Sequence, residues 1–563
     1  MRTWLALLIA ATFSCPLRAQ EQTEKQQGWK AGFDLQTDYH YSTGTTPYTP
    51  RLTGNTYLTG RLYNKHWETG LRLEELSHPL PGYEEQKGRG LANLYIKAQY
   101  KRFEATLGDV YEQFGSGLLL RAYEDRNLGI DNSIRGLRLQ TTPFDGLTVK
   151  VVGGQQRLYF DRTGQIFSNE RGFIWGADAE LEMSRWIKPL QKSNSSLNWG
   201  WSWVGKHESA KEQIHRTIEG IRHRLNIPTD VCAWSTRIDF AHGNWNWHAA
   251  YAYKWEDPQA ANGYTFHPGS VVMLTAGYAK RGWSLLVGLR RSENFDFRAS
   301  RQAPPAGLRI NHLLPFTQQE SYTLAALYPY ATRPEGEWAF QTEWNYRLPK
   351  GTWMGGKYGS KLRITASYVT ELKKTPLDEQ WSTGINHADA VGTKGYSASF
   401  FGLGQRLFHN VHIEYSRKWS AHYSLAFSYL NQAYNQRLIE GHAEQGNTIR
   451  SHIFIYEGKH KLPKRSSLRT ELQYFHSRQA EGDWVYGMVE YAPHPRLLFS
   501  ASDQWNIGTT KRHYYMASLT GLLGSHRLQL SYGRTRQGIN CSGGVCRMMP
   551  ATQGLYLSYQ VNL

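Results

Sequence analysis

The most unusual run of chemically capable side chains in this 563-residue sequence is Asp109-Val110-Tyr111-Glu112-Gln113-Phe114-Gly115-Ser116-Gly117-Leu118-Leu119-Leu120-Arg121-Ala122-Tyr123-Glu124-Asp125-Arg126. Arg121, Glu124, Asp125 and Arg126 bring both signs together within a few residues, which suits a paired network rather than acid–base chemistry. Gly115 and Gly117 permit tight backbone bends. The run reads either as a folded loop or as two strands broken by a bulge. Elsewhere the 21 histidines are scattered without a recurring acidic or serine partner, so no catalytic set and no cofactor are expected. His215 and His223 are too far apart for the usual helical metal pair, and no metal site is expected either.

The elements that must position these residues are strands. Leu555, Leu557, Tyr559, Val561 and Leu563 alternate with Tyr556, Ser558, Gln560 and Asn562 up to the carboxyl terminus. An unpaired hydrophobic strand there would invite aggregation, whereas a closed transmembrane β-barrel pairs its last strand with its first. At the other end, 1–19 has the basic, apolar and small-residue zones of a secretory signal, ending Leu17-Arg18-Ala19. Cys15 lacks the preceding leucine of a lipoprotein site and is followed by Pro16. No later stretch is apolar enough for a transmembrane helix. Tyr (35) and Trp (20) are abundant although mean hydropathy is −0.59, as in barrels, which need only one apolar face and place aromatics at both interfaces. A soluble all-β domain or β-helix is the competing class. The formal charge of +18 fits anionic lipid headgroups or an anionic lumen better than nucleic acid, for which no motif exists.

The first strand places Trp29, Ala31, Phe33, Leu35, Thr37, Tyr39 and Tyr41 on one face, with Lys30, Asp34, Gln36, Asp38 and His40 on the other. A wet lumen accepts those charges where a sandwich core would not. Short turns, as at Asn64-Lys65 and Lys101-Arg102, alternate with long connections. A parity count on that alternation predicts about 26 antiparallel strands (range 24–28) over 29–563, with Tyr396 to Gly402 as one of them. Residues 20–28 are then a short periplasmic segment, no plug domain is expected, and the location is the outer membrane of a diderm bacterium. Outer-membrane lipid and lipopolysaccharide are the partners this class implies. In such a barrel Asp109, Tyr111, Glu112, Gly115, Gly117, Arg121, Glu124, Asp125 and Arg126 form a candidate lumen constriction, because strand side chains alone cannot fill so wide an interior. In 209–226, Ile214, Ile218, Ile221 and Leu225 recur at helical spacing after a capping box at Ser209 to Glu212. That predicts an external amphipathic helix, either a docking surface or lid, or an ornament on the rim. Cys541 and Cys546 enclose Ser542 to Val545 in the last external loop and predict a structural disulfide, leaving Cys232 unpaired.

Two stretches are similar to a Bacteroidota outer-membrane barrel family catalogued as a domain of unknown function. They are Gly108 to Gly117 with Gly129-Ile130-Asp131-Asn132-Ser133-Ile134-Arg135-Gly136, and Gly533-Arg534 followed by Cys541 to Arg547. Tyr328-Pro329-Tyr330-Ala331-Thr332 matches in style. The resemblance spans the mature chain and implies an outer-membrane location, a loose link with type IX secretion, and secretion-system proteins as partners. It brings no catalytic residues. The expected function is a component or accessory of protein export or surface assembly. The alternative is a porin whose Lys30, Asp34, Asp38 and Arg72 line a water-filled path, and a third reading is a surface adhesin on a barrel scaffold.

Overall fold

The structure, a computed structural model, describes residues 28–44, 50–160, 172–209, 214–303, 307–377, 391–440, 448–542 and 545–563, without the side chains of 540–542 and 545–546. The predicted signal, and the capping box apart from Ser209, lie outside them. One antiparallel sheet of 24 strands closes on itself. Its first strand, Lys30–Ser42, pairs with Leu52–Tyr63 on one side and with the last strand, Gln553–Asn562, on the other. Leu35 lies opposite Val561 and Tyr41 opposite Leu555 in this seam. The alternating carboxyl-terminal segment is therefore paired along both edges, since its far side meets His526–Arg534.

Alternation sets the two faces of the wall. In Leu147–Gln156, Val151 is 45% exposed while its neighbour Val152 is 1% exposed. Leu528, Leu530 and Tyr532 point outward from the penultimate strand in the same way, as do Phe427 and Phe454 further round. An outer face of this kind suits lipid, and closure leaves the sheet without a free edge strand. Short connections such as 101–102, 243–244 and 495–496 lie at one end of the barrel, and the longest, 208–229 and 294–335 among them, lie at the other.

The count of 24 falls at the lower limit of the expected range. Tyr396 to Gly402 is not a separate strand. It is the start of one long strand, Tyr396–Lys418, which pairs with Ser360–Pro376 through register shifts at Val369/Thr370, Thr370/Leu372 and Leu372/Lys374. Bulges of this kind break the period of two: Phe400 and Phe401 are neighbours and both are exposed. In sequence that break looks like a strand end.

The predicted helix at 209–226 is also corrected. His215–Ile218 and Ile221–Arg224 form a β-hairpin around Glu219 (φ 49°) and Gly220 (φ 79°), the left-handed pair of a tight hairpin turn. Ile218 faces Ile221, and the Leu225 amide donates to the Ile214 carbonyl at 2.9 Å. The four apolar residues are symmetric about the turn, and that symmetry mimics helical spacing. Gly220→Ala separates the two conformations by sign. In a helix it would stabilise by about 1 kcal/mol. In this hairpin an added Cβ meets no atom within 4 Å, so only the backbone strain of about 1–2 kcal/mol remains. Proteolysis at 214–225 in the intact protein is expected to quicken.

Candidate functional site in the lumen

Two connections turn inward instead of standing outside the barrel. The first, 111–133, joins Phe103–Val110 to Ile134–Thr141, and the second, 294–335, joins Trp283–Glu293 to Gly336–Leu348. Gly115 (φ 52°) makes the bend that brings the first against the wall, where an added Cβ would lie 2.7 Å from Arg237 Cδ. Phe114, Leu118, Leu119 and Leu120 then pack with Phe295, Phe297, Leu308 and Ile310 of the second connection. Beneath them lie inward residues of the wall, Val152, Ile174, Val204 and Val271 among them. Further along, Leu324, Ala325 and Leu327 pack on Leu430, Ile453, Phe475 and Trp484 of the opposite arc.

The wall residues of these clusters belong to the long-loop half of their strands, so the hydrophobic core of this molecule sits inside that half of the barrel. The two connections are also hydrogen-bonded to each other. The Arg121 amide donates to the Ile310 carbonyl at 2.8 Å, the His312 amide to the Gly117 carbonyl at 3.1 Å, and Asn132 Nδ2 to the Arg309 carbonyl at 3.0 Å. Ile310 is wholly buried. Ile310→Val is expected to cost about 0.5–1.5 kcal/mol of this interlock, read as faster hydrogen exchange at the Arg121 amide.

A buried ionic clamp ties 111–133 to the wall. Arg72 reaches Glu74 (2.8 Å), Glu124 (2.6 Å) and Asp131, while Arg157 reaches Glu74 (2.6 Å) and Asp131. Arg126 bonds Glu124 at 2.6 Å and Gln36 at 3.1 Å, and the Tyr111 hydroxyl donates to Asp131 at 3.1 Å. Burial alone would raise the Asp131 pKa, but the Arg157 and Arg72 guanidiniums outweigh it and hold the carboxyl below its usual range. Burial drives the Tyr111 phenol upward, with the Asp131 charge adding to it.

Of the residues singled out in sequence, Glu124 and Arg126 do meet. Arg121 instead stacks on the Tyr123 ring at 4.4 Å, and Asp125 caps the amides of Asn127 (3.0 Å) and Leu128 (3.2 Å). Asp109 anchors Arg135 (2.7 Å) and accepts from the Leu94 amide (2.8 Å), while Glu112 takes Lys150 (3.0 Å) and Arg138. Gly117 (φ 86°) completes the second bend of the run.

No local sequence pattern joins Arg72, Glu74, Asp131 and Arg157 into one cluster or marks 294–335 as turning inward. A signal for the filled lumen is present in sequence. Val271-Val272-Met273-Leu274 is apolar on both faces, which a wall wet on its inner side would not need.

His215 sits in the hairpin with Arg222 Nη2 at 3.2 Å, and no group of ligands fit to hold a metal occurs among the described residues. Cys541 lies opposite Cys546 in the hairpin of Gly538–Ser542 and Val545–Met549, their side chains being outside the described set. Cys232 is a free thiol.

The short-turn half of the lumen is polar. One cavity there, of about 640 Å³, is lined by Arg61, Glu68, Lys97 and Glu104 below the clamp.

A closed antiparallel barrel with an apolar outer face and a loop-filled lumen defines the structural class of this protein, one similar to bacterial outer-membrane proteins. The chain belongs to a family of unknown function (DUF6029), whose model matches residues 1–563. No curated protein matches it. Among solved structures, the P pilus usher (PapC) translocation pore is similar at 10% identity and a TM-score of 0.42, over 94% of this chain and 98% of that one. A mutant of the ferric enterobactin receptor PfeA from Pseudomonas aeruginosa gives 10% and 0.42 over 96% and 81%. OccAB2 of Acinetobacter baumannii gives 7% and 0.33 over 95% and 98%. Likeness this distant carries nothing about function.

Proposed function

We propose that this protein is an outer-membrane barrel of a diderm bacterium, closed at rest by its own inward connections, that serves as a component or accessory of protein export or surface assembly. One observation supports the closed state above others: 111–133 and 294–335 interlock across the long-loop half of the lumen through an apolar core and hydrogen bonds, while buried ion pairs tie 111–133 to the wall. An open diffusion channel has no use for so much buried structure in its path. On this reading the barrel performs no chemistry of its own and presents its long connections to lipopolysaccharide and to secretion-system proteins. The export assignment, with its type IX link, rests on the family resemblance. The Cys541–Cys546 disulfide belongs to the same proposal, as a staple on the last long connection. Deleting the gene is expected to reduce the amount of surface-delivered cargo protein, and unchanged delivery would remove the export assignment. A channel that opens when its loops undock is the second reading, favoured by the polar walls of the short-turn half.

A further inference from the structure

The short-turn end of the barrel holds a second cavity, of about 340 Å³, between the wall and the lowest part of the 294–335 connection. Tyr322 from that connection roofs it, with its hydroxyl donating to Glu457 at 3.2 Å. Arg347, Lys361 and Lys418 line the cavity from three strands, Gly336–Leu348, Ser360–Pro376 and Tyr396–Lys418. None of the three pairs with a carboxylate among the described residues. Lys418 lies 4.9 Å from the Tyr358 ring centroid. Arg417, also in the lining, has a buried Nε without a hydrogen-bond partner.

The carboxylates of the lining do not balance these charges. Glu457 is already engaged by Lys459 at 2.9 Å and Arg469 at 2.7 Å, which leaves Glu414. The adjoining turns add charge of the same sign. Residues 349–359 carry Lys350 and Lys357, residues 462–466 carry Lys464 and Arg465, and neither turn contains an Asp or Glu. An excess of cations over carboxylates around one cavity on the inner side of the wall makes a positive field that draws in multivalent anions.

We propose that this cavity binds a phosphate-type anion that enters from the short-turn side, with Arg347, Lys361 and Lys418 as the charged contacts. Arg347 supplies a planar fork suited to phosphate oxygens and the two lysines supply point charges. The anion is either a soluble phosphate compound or the phosphodiester of a lipid headgroup from the leaflet at that rim. Both present the same oxygens to these side chains. The proposal is independent of whether the lumen conducts.

The test uses the full-length protein and a Lys361→Ala, Lys418→Ala double variant, both shown by circular dichroism to keep the barrel. A Lys192→Ala variant, altered in a distant turn, serves as the control. Inorganic pyrophosphate is titrated calorimetrically against each in detergent, and each is placed in nanodiscs of phosphatidylglycerol or phosphatidylcholine to measure retained lipid. For a soluble ligand, pyrophosphate binds the wild type and the control alike, and binds the double variant on the order of tenfold more weakly, as expected for two lost ion contacts at exposed lysines. For a lipid ligand, pyrophosphate does not bind, and selective phosphatidylglycerol retention is lost in the double variant alone. Affinity and lipid retention that are the same in wild type and double variant, or absent from both, would overturn the proposal.

Discussion

Asp131→Asn is expected to detach 111–133 from the barrel wall at a cost of about 3–5 kcal/mol, the usual result of removing one member of a buried ion cluster. The change preserves shape and deletes one charge. In the native cluster Arg72, Arg126 and Arg157 face Glu74, Glu124 and Asp131 within a few ångströms. Without Asp131 the guanidiniums of Arg72 and Arg157 keep only carboxylates they already share, in a place where their side chains are 5% and 8% exposed. The barrel itself, held by a continuous ladder of strand pairs, is expected to survive. A cysteine placed at Leu118, which is 6% exposed, reports the change: it resists a water-soluble maleimide in the native background and reacts in the Asp131→Asn background.

The same clamp fixes the response to acid. Its carboxyl at Asp131 is held below the usual value of 3.8, so the stabilisation it contributes is complete above that value and disappears as pH falls through the lowered one. Labelling at position 118, taken at each pH relative to the same thiol in the unfolded chain, is therefore expected to be flat from about pH 8 to about pH 5, and to rise only in stronger acid. Release near neutrality would show that Asp131 does not carry the docking.

Replacing both 112–132 and 295–334 with short Gly-Ser linkers is expected to turn a closed barrel into a wide pore. A wall of 24 strands encloses far more space than its own side chains fill. Barrels of roughly 16–18 strands already leave an aqueous channel, and this one is wider. Removing 112–132 alone is expected to give a smaller and noisier conductance, because 294–335 keeps its contacts with the opposite arc through Leu324, Ala325 and Leu327.

Much of the wall was readable because period-two alternation is a local property. Lys30–Ser42 and Gln553–Asn562 declare their faces residue by residue, and their pairing follows from closure. Turn parity separated the short end from the long end for the same reason. The count overshot where bulges in Ser360–Pro376 and Tyr396–Lys418 disturbed alternation. The hairpin at 215–224 misled because four apolar residues placed symmetrically about Glu219-Gly220 have helical spacing as well as cross-strand spacing. The lumen core was hidden for a different reason. Arg72 meets Asp131 across 59 residues and Asn132 meets the Arg309 carbonyl across 177. No local pattern encodes contacts at such separations. The run at Asp109 to Arg126 was recognisable as unusual, yet the partners of its charges stand on other elements.

On this reading the protein's own connections close its lumen. The most direct measurement is the conductance of the purified wild-type protein in a planar bilayer, with the doubly shortened variant in parallel as proof of insertion. A quiet baseline is expected for the wild type at neutral pH, and a large, steady conductance for the variant. A steady, porin-like open current from the wild type would contradict this reading.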